Sequence, residues 1–407
     1  MSPELDLMFL GRLFPPVNEE KVRAKSKNDM QDAANQLQWN LIKGFIENGT
    51  KDVKVVSYLP VDSWPKHFKD AFVKPICNDV SGISFKSVGF CNITYIKQLF
   101  CKKVCNKAVV EWAKTKSDKK RVLFCYTCNN TLMRAVAAAK KVNPDIIAIQ
   151  IIADITEFAT NDDATGLKRL FTIKEIKTNE ALKKHIDGYV LLTKQMRDKL
   201  HIDKPYVVME GIAPQREMCD FGFTEKEVKT ILYTGSMNKK YGICELLEAF
   251  SMIKNPNFRL ILCGLGNADV EICEAVKKDS RIKFLGKVPH SKAIELQKEA
   301  DVLVNPRQNK EEFTKYSFPS KILEYLSSGK PLVAFKLDGI PDEYDEYINY
   351  VEENSLENFA KTLVEIGLDA DGMATRRAVD ARGFVLDNKN YKAQSKKILD
   401  LVLKKYK

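Results

Sequence analysis

Short, almost continuous apolar runs recur along the chain, separated by longer stretches with helical periodicity. Residues 7–10, 53–58, 122–126, 146–152, 188–193 and 205–209 form such runs, and residues 29–47 carry a helical pattern between the first two. Runs of this kind suit strands buried on both faces, and their alternation with helices predicts a parallel sheet. The rhythm resumes at 230–234, 259–263, 282–285, 302–304 and 331–335, followed by helical patterns at 354–366 and 391–403. Residues 210–229 are polar, with Gly211, Pro214 and Gly222, and read as a linker. The expectation is an α/β protein of two doubly wound domains, 1–209 and 230–384, with a terminal amphipathic segment at 385–407.

The richest stretch runs from Asp301 to Phe335. A strand stops at Asn305-Pro306-Arg307, a polar loop follows, and Ser317-Phe318-Pro319-Ser320-Lys321 opens a helix carrying Ile322, Leu323 and Leu326 at helical spacing. Serine suits a cap and proline a first turn, while Gly329 and Pro331 mark the stop. A helix start offers free N–H groups and a positive dipole end, which suits phosphate. Arg307 and Lys321 are placed to converge on that anion. Glu324, three residues beyond Lys321, presents a carboxylate able to accept two bonds from vicinal hydroxyls such as those of a ribose. The bland alternative is a capped helix with a surface Lys–Glu pair.

Taken together, Asn305-Pro306-Arg307, Tyr316 to Lys321, Glu324-Tyr325 and Gly329-Lys330-Pro331 resemble the donor-binding segment of family-4 glycosyltransferases. These are retaining enzymes of GT-B architecture, and the match is to the branch that builds bacterial capsules and exopolysaccharides. The resemblance implies two Rossmann-like domains across an interdomain cleft, with a C-terminal helix crossing back onto the first. It implies a hexosyltransferase-type enzyme without a cofactor, and since no metal-ligand cluster is visible in the sequence, metal independence is expected. Such an enzyme moves a sugar from a nucleotide donor, UDP-linked by expectation, to a lipid-linked or polysaccharide acceptor. Carried over residue by residue, Asp154, Arg307, Lys321 and Glu324 become catalytic candidates. Gly235, Ser236, Lys240, Gly264, Gly266 and Val288 join Arg307 and the run Tyr316, Ser317, Phe318, Pro319, Ser320, Lys321 and Glu324 as donor contacts. Gly11, Arg12, Asp154 and Glu157 fall at the first-domain side of the cleft.

The chain departs from the family pattern at several points. Ser236 stands where an arginine is usual, and Tyr241 precedes Gly242 where a lysine is usual, leaving Lys240 to serve one residue early. Tyr316 replaces the first of two glutamates, of which Glu324 is the second; Glu311 or Glu312 would have to reach the sugar from the loop instead. Thr156 replaces a proline in the acidic patch after Asp154, which also reads as a helix cap. These departures keep a second reading open: an inactive GT-B subunit that binds nucleotide or a partner transferase.

Composition narrows the picture further. A chain of 407 residues with 44% apolar content suits two cores. The net charge of +11 points to phosphorylated ligands, an anionic membrane or nucleic acid, the last disfavoured because no zinc-finger or recognition-helix pattern is visible. The cysteines are scattered, Cys125 continues an apolar strand, and a reducing cytoplasm is expected. No leader and no apolar run of about 20 residues is visible. Residues 93–121 are rich in lysine, with Ile96, Leu99, Phe100, Val104, Val109, Val110 and Trp112 near helical period. Such a segment either lies at the inner face of the plasma membrane, as a peripheral contact, or packs on the core with a solvated lysine face. Asp369-Ala370-Asp371 has the metal-binding form of a GT-A enzyme but sits too late in the chain. His290 reads as a helix start. A sugar-nucleotide epimerase lacks placeable cleft acids, and an NAD enzyme lacks G-x-G-x-x-G.

Overall fold

The computed structural model describes residues 4–405 apart from positions 16, 18, 28–31, 52, 95, 156–166 and 216–225. The chain divides into two compact units, Met1–Glu210 with Tyr391–Lys407, and Gly211–Asn390.

In the first unit the strands are β1 (Leu5–Gly11), β2 (Val53–Ser57), β3 (Phe72–Val73), β4 (Ile76–Val80), β5 (Ile83–Ser87), β6 (Phe90–Cys91), β7 (Lys120–Tyr126), β8 (Ile147–Ile152), β9 (Gly188–Leu191) and β10 (Tyr206–Val208). Eight of them form one sheet in the order β10-β9-β8-β7-β1-β2-β5-β4, parallel except for the β4–β5 hairpin at its edge. Every residue of β1 is buried, as a central parallel strand requires. The principal helices are α1 (Asp32–Glu47), α2 (Ile96–Lys114), α3 (Asn130–Val142) and α4 (Leu167–Leu182). Asn129 caps α3 by accepting from the N–H groups of Thr131 and Leu132.

In the second unit β11 (Lys229–Thr234), β12 (Phe258–Cys263), β13 (Ile282–Phe284), β14 (Val302–Asn305), β15 (Leu332–Ala334) and β16 (Asn349–Tyr350) form a wholly parallel sheet, β13-β12-β11-β14-β15-β16. Its helices are α5 (Ile243–Met252), α6 (Asp269–Lys278), α7 (His290–Glu299), α8 (Ser320–Leu326), α9 (Leu356–Leu368) and α10 (Met373–Asn388). Strand alternation feeds two apolar layers: Ile231 and Tyr233 join Phe250 and Phe359 on one face, while Leu232 joins Tyr325 and Tyr344 on the other. Both units therefore have Rossmann-like, doubly wound topology.

Several sequence expectations need correction. Strands β3 to β6 fill a region where no periodic run was read, because short half-exposed strands carry little apolar signal. Residues 385–388 complete α10 in the second unit, and the terminal helix is α11 (Tyr391–Lys405) in the first. There Tyr391 donates to Glu47 Oε1 at 2.6 Å and Ser395 to the Leu41 carbonyl at 3.2 Å. Asp369 and Asp371 serve as caps, the first accepting from the N–H groups of Ala374 and Thr375, the second from that of Met373. The helix α2 buries Cys101, Cys105, Val109 and Trp112, but Ile96, Leu99 and Phe100, counted with them on the apolar face, are exposed. No helix of the described residues is long and apolar enough to cross a membrane.

Candidate functional site

In the second unit the strand order changes direction between β11 and β14. Open α/β sheets take ligands beyond the carboxyl ends of strands flanking such a switch. β11 ends at Thr234 and leads into Gly235-Ser236; β14 ends at Asn305 and leads into Pro306-Arg307. Two close approaches set the loops around this point. A Cβ at Gly264 (φ 150°) would lie 1.7 Å from the Gly235 carbonyl oxygen, and one at Gly242 (φ 83°) would lie 2.0 Å from that of Pro306. Only glycine tolerates either position.

Arg307 is 7% exposed. Its Nη2 donates to Ser317 Oγ at 2.6 Å, and its guanidinium lies 4.4 Å from the Phe313 ring centre and 5.4 Å from that of Tyr241. Its Nε is buried without a partner. Lys240 rests on the same two rings, 5.4 Å from Tyr241 and 5.3 Å from Phe313. Neither cation makes an ion pair among the described residues. Burial lowers Arg307 from the ordinary arginine value, yet arginine stays charged in proteins. Two cations on one aromatic pair, one of them desolvated, without a counter-charge among the described residues, call for an anion from outside.

A second cluster surrounds Glu324. Its Oε1 accepts from Gln297 Nε2 at 2.6 Å and from Lys321 Nζ at 3.1 Å, and Oε2 accepts from Lys321 at 2.9 Å. Burial alone would raise this carboxyl; Lys321 and the Gln297 hydrogen bond outweigh it and hold it below the ordinary value. Gln297, fully buried on α7, also donates to Thr234 Oγ1 at 3.0 Å. The Tyr325 hydroxyl accepts from the Thr234 N–H at 2.8 Å and donates to its carbonyl at 2.9 Å. The end of β11, α7 and α8 are thus tied into one polar network. A carboxylate offers about four acceptor sites, and with three of them used Glu324 retains capacity for one further donor. Removing the Tyr325 hydroxyl strands a buried N–H and a buried C=O, so Tyr325→Phe is expected to cost about 2 kcal/mol of stability, read from the denaturant midpoint.

The other candidates fall at varied distances from this centre. Ser236 Oγ accepts from Asn238 at 2.5 Å, and its carbonyl accepts from Tyr233 at 3.0 Å. Gly266 packs against the Met237 backbone and Val288 is half-buried against the apolar layer of Phe318 and Leu323. Phe318 turns into the core, 5.4 Å from the Tyr344 ring. The cap of α8 is Pro319, which supplies no side-chain bond, and Ser320 is the first helical residue, so the expected serine cap does not form. With seven residues α8 is too short for a strong dipole. Lys321 pairs with Glu324 through two bonds, which leaves one of the three donors of its ammonium unspent. Tyr316 ends a 3₁₀ turn, its hydroxyl 3.4 Å from Glu312 Oε1. His290 begins α7.

The sequence reading missed Gln297, Thr234, Tyr241 and Phe313. Gln297 was detectable, since it lies four residues from buried Ala293 on the inward face of α7.

In the first unit the direction of strand order changes at β1 and β7. Gln38 pins the loop there, accepting from the Arg12 N–H at 3.0 Å and donating to its carbonyl at 3.0 Å. Gly11 closes β1, and the Arg12 guanidinium lies 5.4 Å from the Tyr58 ring centre with its Nε buried and unpaired. Thr127, just beyond β7, adopts φ 62°, a strained conformation for a β-branched residue. Asp154 lies two residues beyond β8 and is exposed. Glu157 and Thr156 lie outside the described residues. No cluster of three or more metal-ligating side chains occurs among the described residues.

Residues 228–369 match the family model described as glycosyl transferases group 1. The match lies within the second unit and spans the Arg307 and Glu324 clusters. No curated protein matches the chain. Among solved structures, sucrose-phosphate synthase from Thermosynechococcus elongatus is similar at 13% identity and TM-score 0.62, over 99% of each chain. The lipopolysaccharide outer core galactosyltransferase WaaB is similar at 11% identity and TM-score 0.62, over 98% of this chain and 99% of that one. Anabaena HepE, solved in complex with UDP, is similar at 12% identity and TM-score 0.61, over 98% of this chain and 99% of that one. The fold is that of GT-B proteins, and the match to the group 1 glycosyl transferase model falls within the second unit.

Proposed function

We propose that this chain is a retaining, family-4 glycosyltransferase of bacterial surface polysaccharide synthesis. It moves a sugar from a nucleotide-sugar donor, UDP-linked, to a lipid-linked or polysaccharide acceptor. The observation that carries the reading is the pair Arg307 and Lys240, cations without a counter-charge among the described residues, in the same unit as Glu324, a carboxylate with one spare acceptor site. A nucleoside diphosphate supplies what each lacks: phosphate oxygens for the cations and a ribose hydroxyl for the remaining acceptor site of Glu324. The group 1 match over the same residues supports it, as does the UDP bound to the similar Anabaena protein.

In this account Arg307 and Lys240 hold the diphosphate and stabilise the charge that grows on it as the sugar leaves. The bond from the anomeric carbon to the diphosphate oxygen breaks, the acceptor oxygen bonds to that carbon from the same face, and the hydroxyl proton passes to the departing diphosphate. Asp154 and Arg12 orient the acceptor. With two protein cations at the diphosphate, transfer needs no divalent ion.

The test is release of UDP from a panel of UDP-sugars with and without oligosaccharide acceptors. Turnover that survives EDTA is expected; strict dependence on a divalent ion contradicts the assignment. Tyr316, in place of a usual glutamate, favours a second reading, an inactive subunit. Tight UDP binding with no transfer to any acceptor would select it.

A further inference from the structure

Two cations and an exposed tryptophan meet at the carboxyl end of the first unit's sheet. Arg12 follows β1, and Lys97 stands in the first turn of α2. The Lys97 Nζ donates to the Val61 carbonyl, in the loop after β2, and lies 5.3 Å from the Phe90 ring centre. Burial, and then the charge of Arg12, push this ammonium down to about 8. Neither cation makes an ion pair among the described residues; Asp62 acts on Lys97, and Glu175 on Arg12, only through the field. An ammonium has three donors, of which Val61 takes one. Trp64 stands in the same loop as Val61 and is 39% exposed. Its backbone N–H donates to the Asn92 carbonyl at 2.9 Å, and it bridges Ile93, whose carbonyl accepts from the Lys97 N–H at 2.9 Å. The buried Asn92 side chain donates in turn to the Asp62 carbonyl at 2.9 Å. The indole is thus held beside the Lys97 turn by a pinned loop.

We propose that Trp64, Lys97 and Arg12 form an acceptor subsite for a glycan bearing an anionic group, a carboxylate or a phosphate, on the sugar that stacks on Trp64. The C–H face of a sugar ring is apolar and covers an exposed indole, while its substituents reach polar groups at the ring edge. Two neighbouring cations without a counter-charge gain from a negative partner, which offsets both their repulsion and the desolvation of Lys97. A neutral glycan would use the indole and leave the cations uncompensated. A small free anion would use the cations and leave the indole in water. A charged sugar uses both. The inference rests on the transferase reading and narrows its acceptor to acidic or phosphorylated glycans, yet binding of such a glycan needs no donor.

The experiment is a tryptophan-fluorescence titration of the full chain, without donor, using trigalacturonate and mannose 6-phosphate against their neutral counterparts maltotriose and mannose. At least one charged probe is expected to bind roughly tenfold or more tightly than its counterpart, the size of one charge-assisted bond, and whichever does so names the anion. Lys97→Met should erase that preference and Lys97→Arg should keep it, a contrast that a folding defect would not give. Trp64→Ala should weaken charged and neutral sugars alike. Equal binding of charged and neutral probes, no binding of the charged ones, or a preference unchanged in Lys97→Met would overturn the proposal. A UDP-induced signal that Trp64→Phe removes would assign the indole to a nucleotide and overturn it too. Calorimetric binding of UDP with no preference among the sugars would sink the subsite and leave the transferase reading standing. A charged-sugar preference without UDP binding would do the reverse.

Discussion

Glu324→Ala is expected to lower donor affinity roughly thirtyfold, the loss of one charge-assisted hydrogen bond to a ribose hydroxyl at about 2 kcal/mol. Calorimetry with the nucleoside diphosphate reads this directly. Asp154→Ala should leave nucleotide affinity unchanged, since it lies on the other unit, and should act on acceptor use alone. Equal nucleotide affinity in wild type and Glu324→Ala would remove Glu324 from the donor site. The same carboxylate also gives a pH signature. Its folded value lies below the ordinary 4.5, so its stabilising pair with Lys321 is fully present above that pH. The contribution is lost as pH falls through the lower folded value. Glu324→Gln should remove that acid-side loss from the stability curve, whereas a surface glutamate would leave it unaltered.

Arg307→Ala is expected to reduce transfer by roughly a hundred- to a thousandfold, the usual consequence of removing one preorganised donor from a developing anion. Arg307→Lys should not restore it. The guanidinium bonds to Ser317 Oγ while lying over the Phe313 ring, and an ammonium cannot reproduce that planar fork. Lys240→Ala should be milder, because Lys240 is exposed and shares its aromatic support with Arg307. A single-turnover assay separates loss of the chemical step from loss of binding. Transfer unchanged in Arg307→Ala would leave the desolvated cation without a function and would remove the main argument for a phosphate there.

Much of the fold is legible in the sequence because central parallel strands are apolar nearly throughout. β1, β7 and β8 of the first unit and β11, β12 and β14 of the second stand where such runs predict them. The hairpin β4–β5 and the ribbon of β3 and β6 are not legible, since one exposed face breaks the apolar run. The helix α10 also escapes, its buried alanines giving little contrast with the polar residues between them. At the site, Arg307 is readable because it follows a strand end before a loop. Its neighbours Tyr241 and Phe313 are not, because they come together only through loop packing from separate strands. The network of Thr234, Gln297 and Tyr325 has the same cause: each is an unremarkable residue on its own element until three elements meet. The Lys321–Glu324 pair follows from helical spacing, while its partial burial, with Glu324 only 16% exposed, depends on α7 packing beside it.

The most direct test of the central claim is calorimetric titration of the full chain with UDP, GDP, ADP, CMP and NAD, repeated on Arg307→Ala. Selective binding of UDP that weakens sharply in the variant is the expected result. No binding of any nucleoside diphosphate, or equal binding by wild type and Arg307→Ala, would contradict the account.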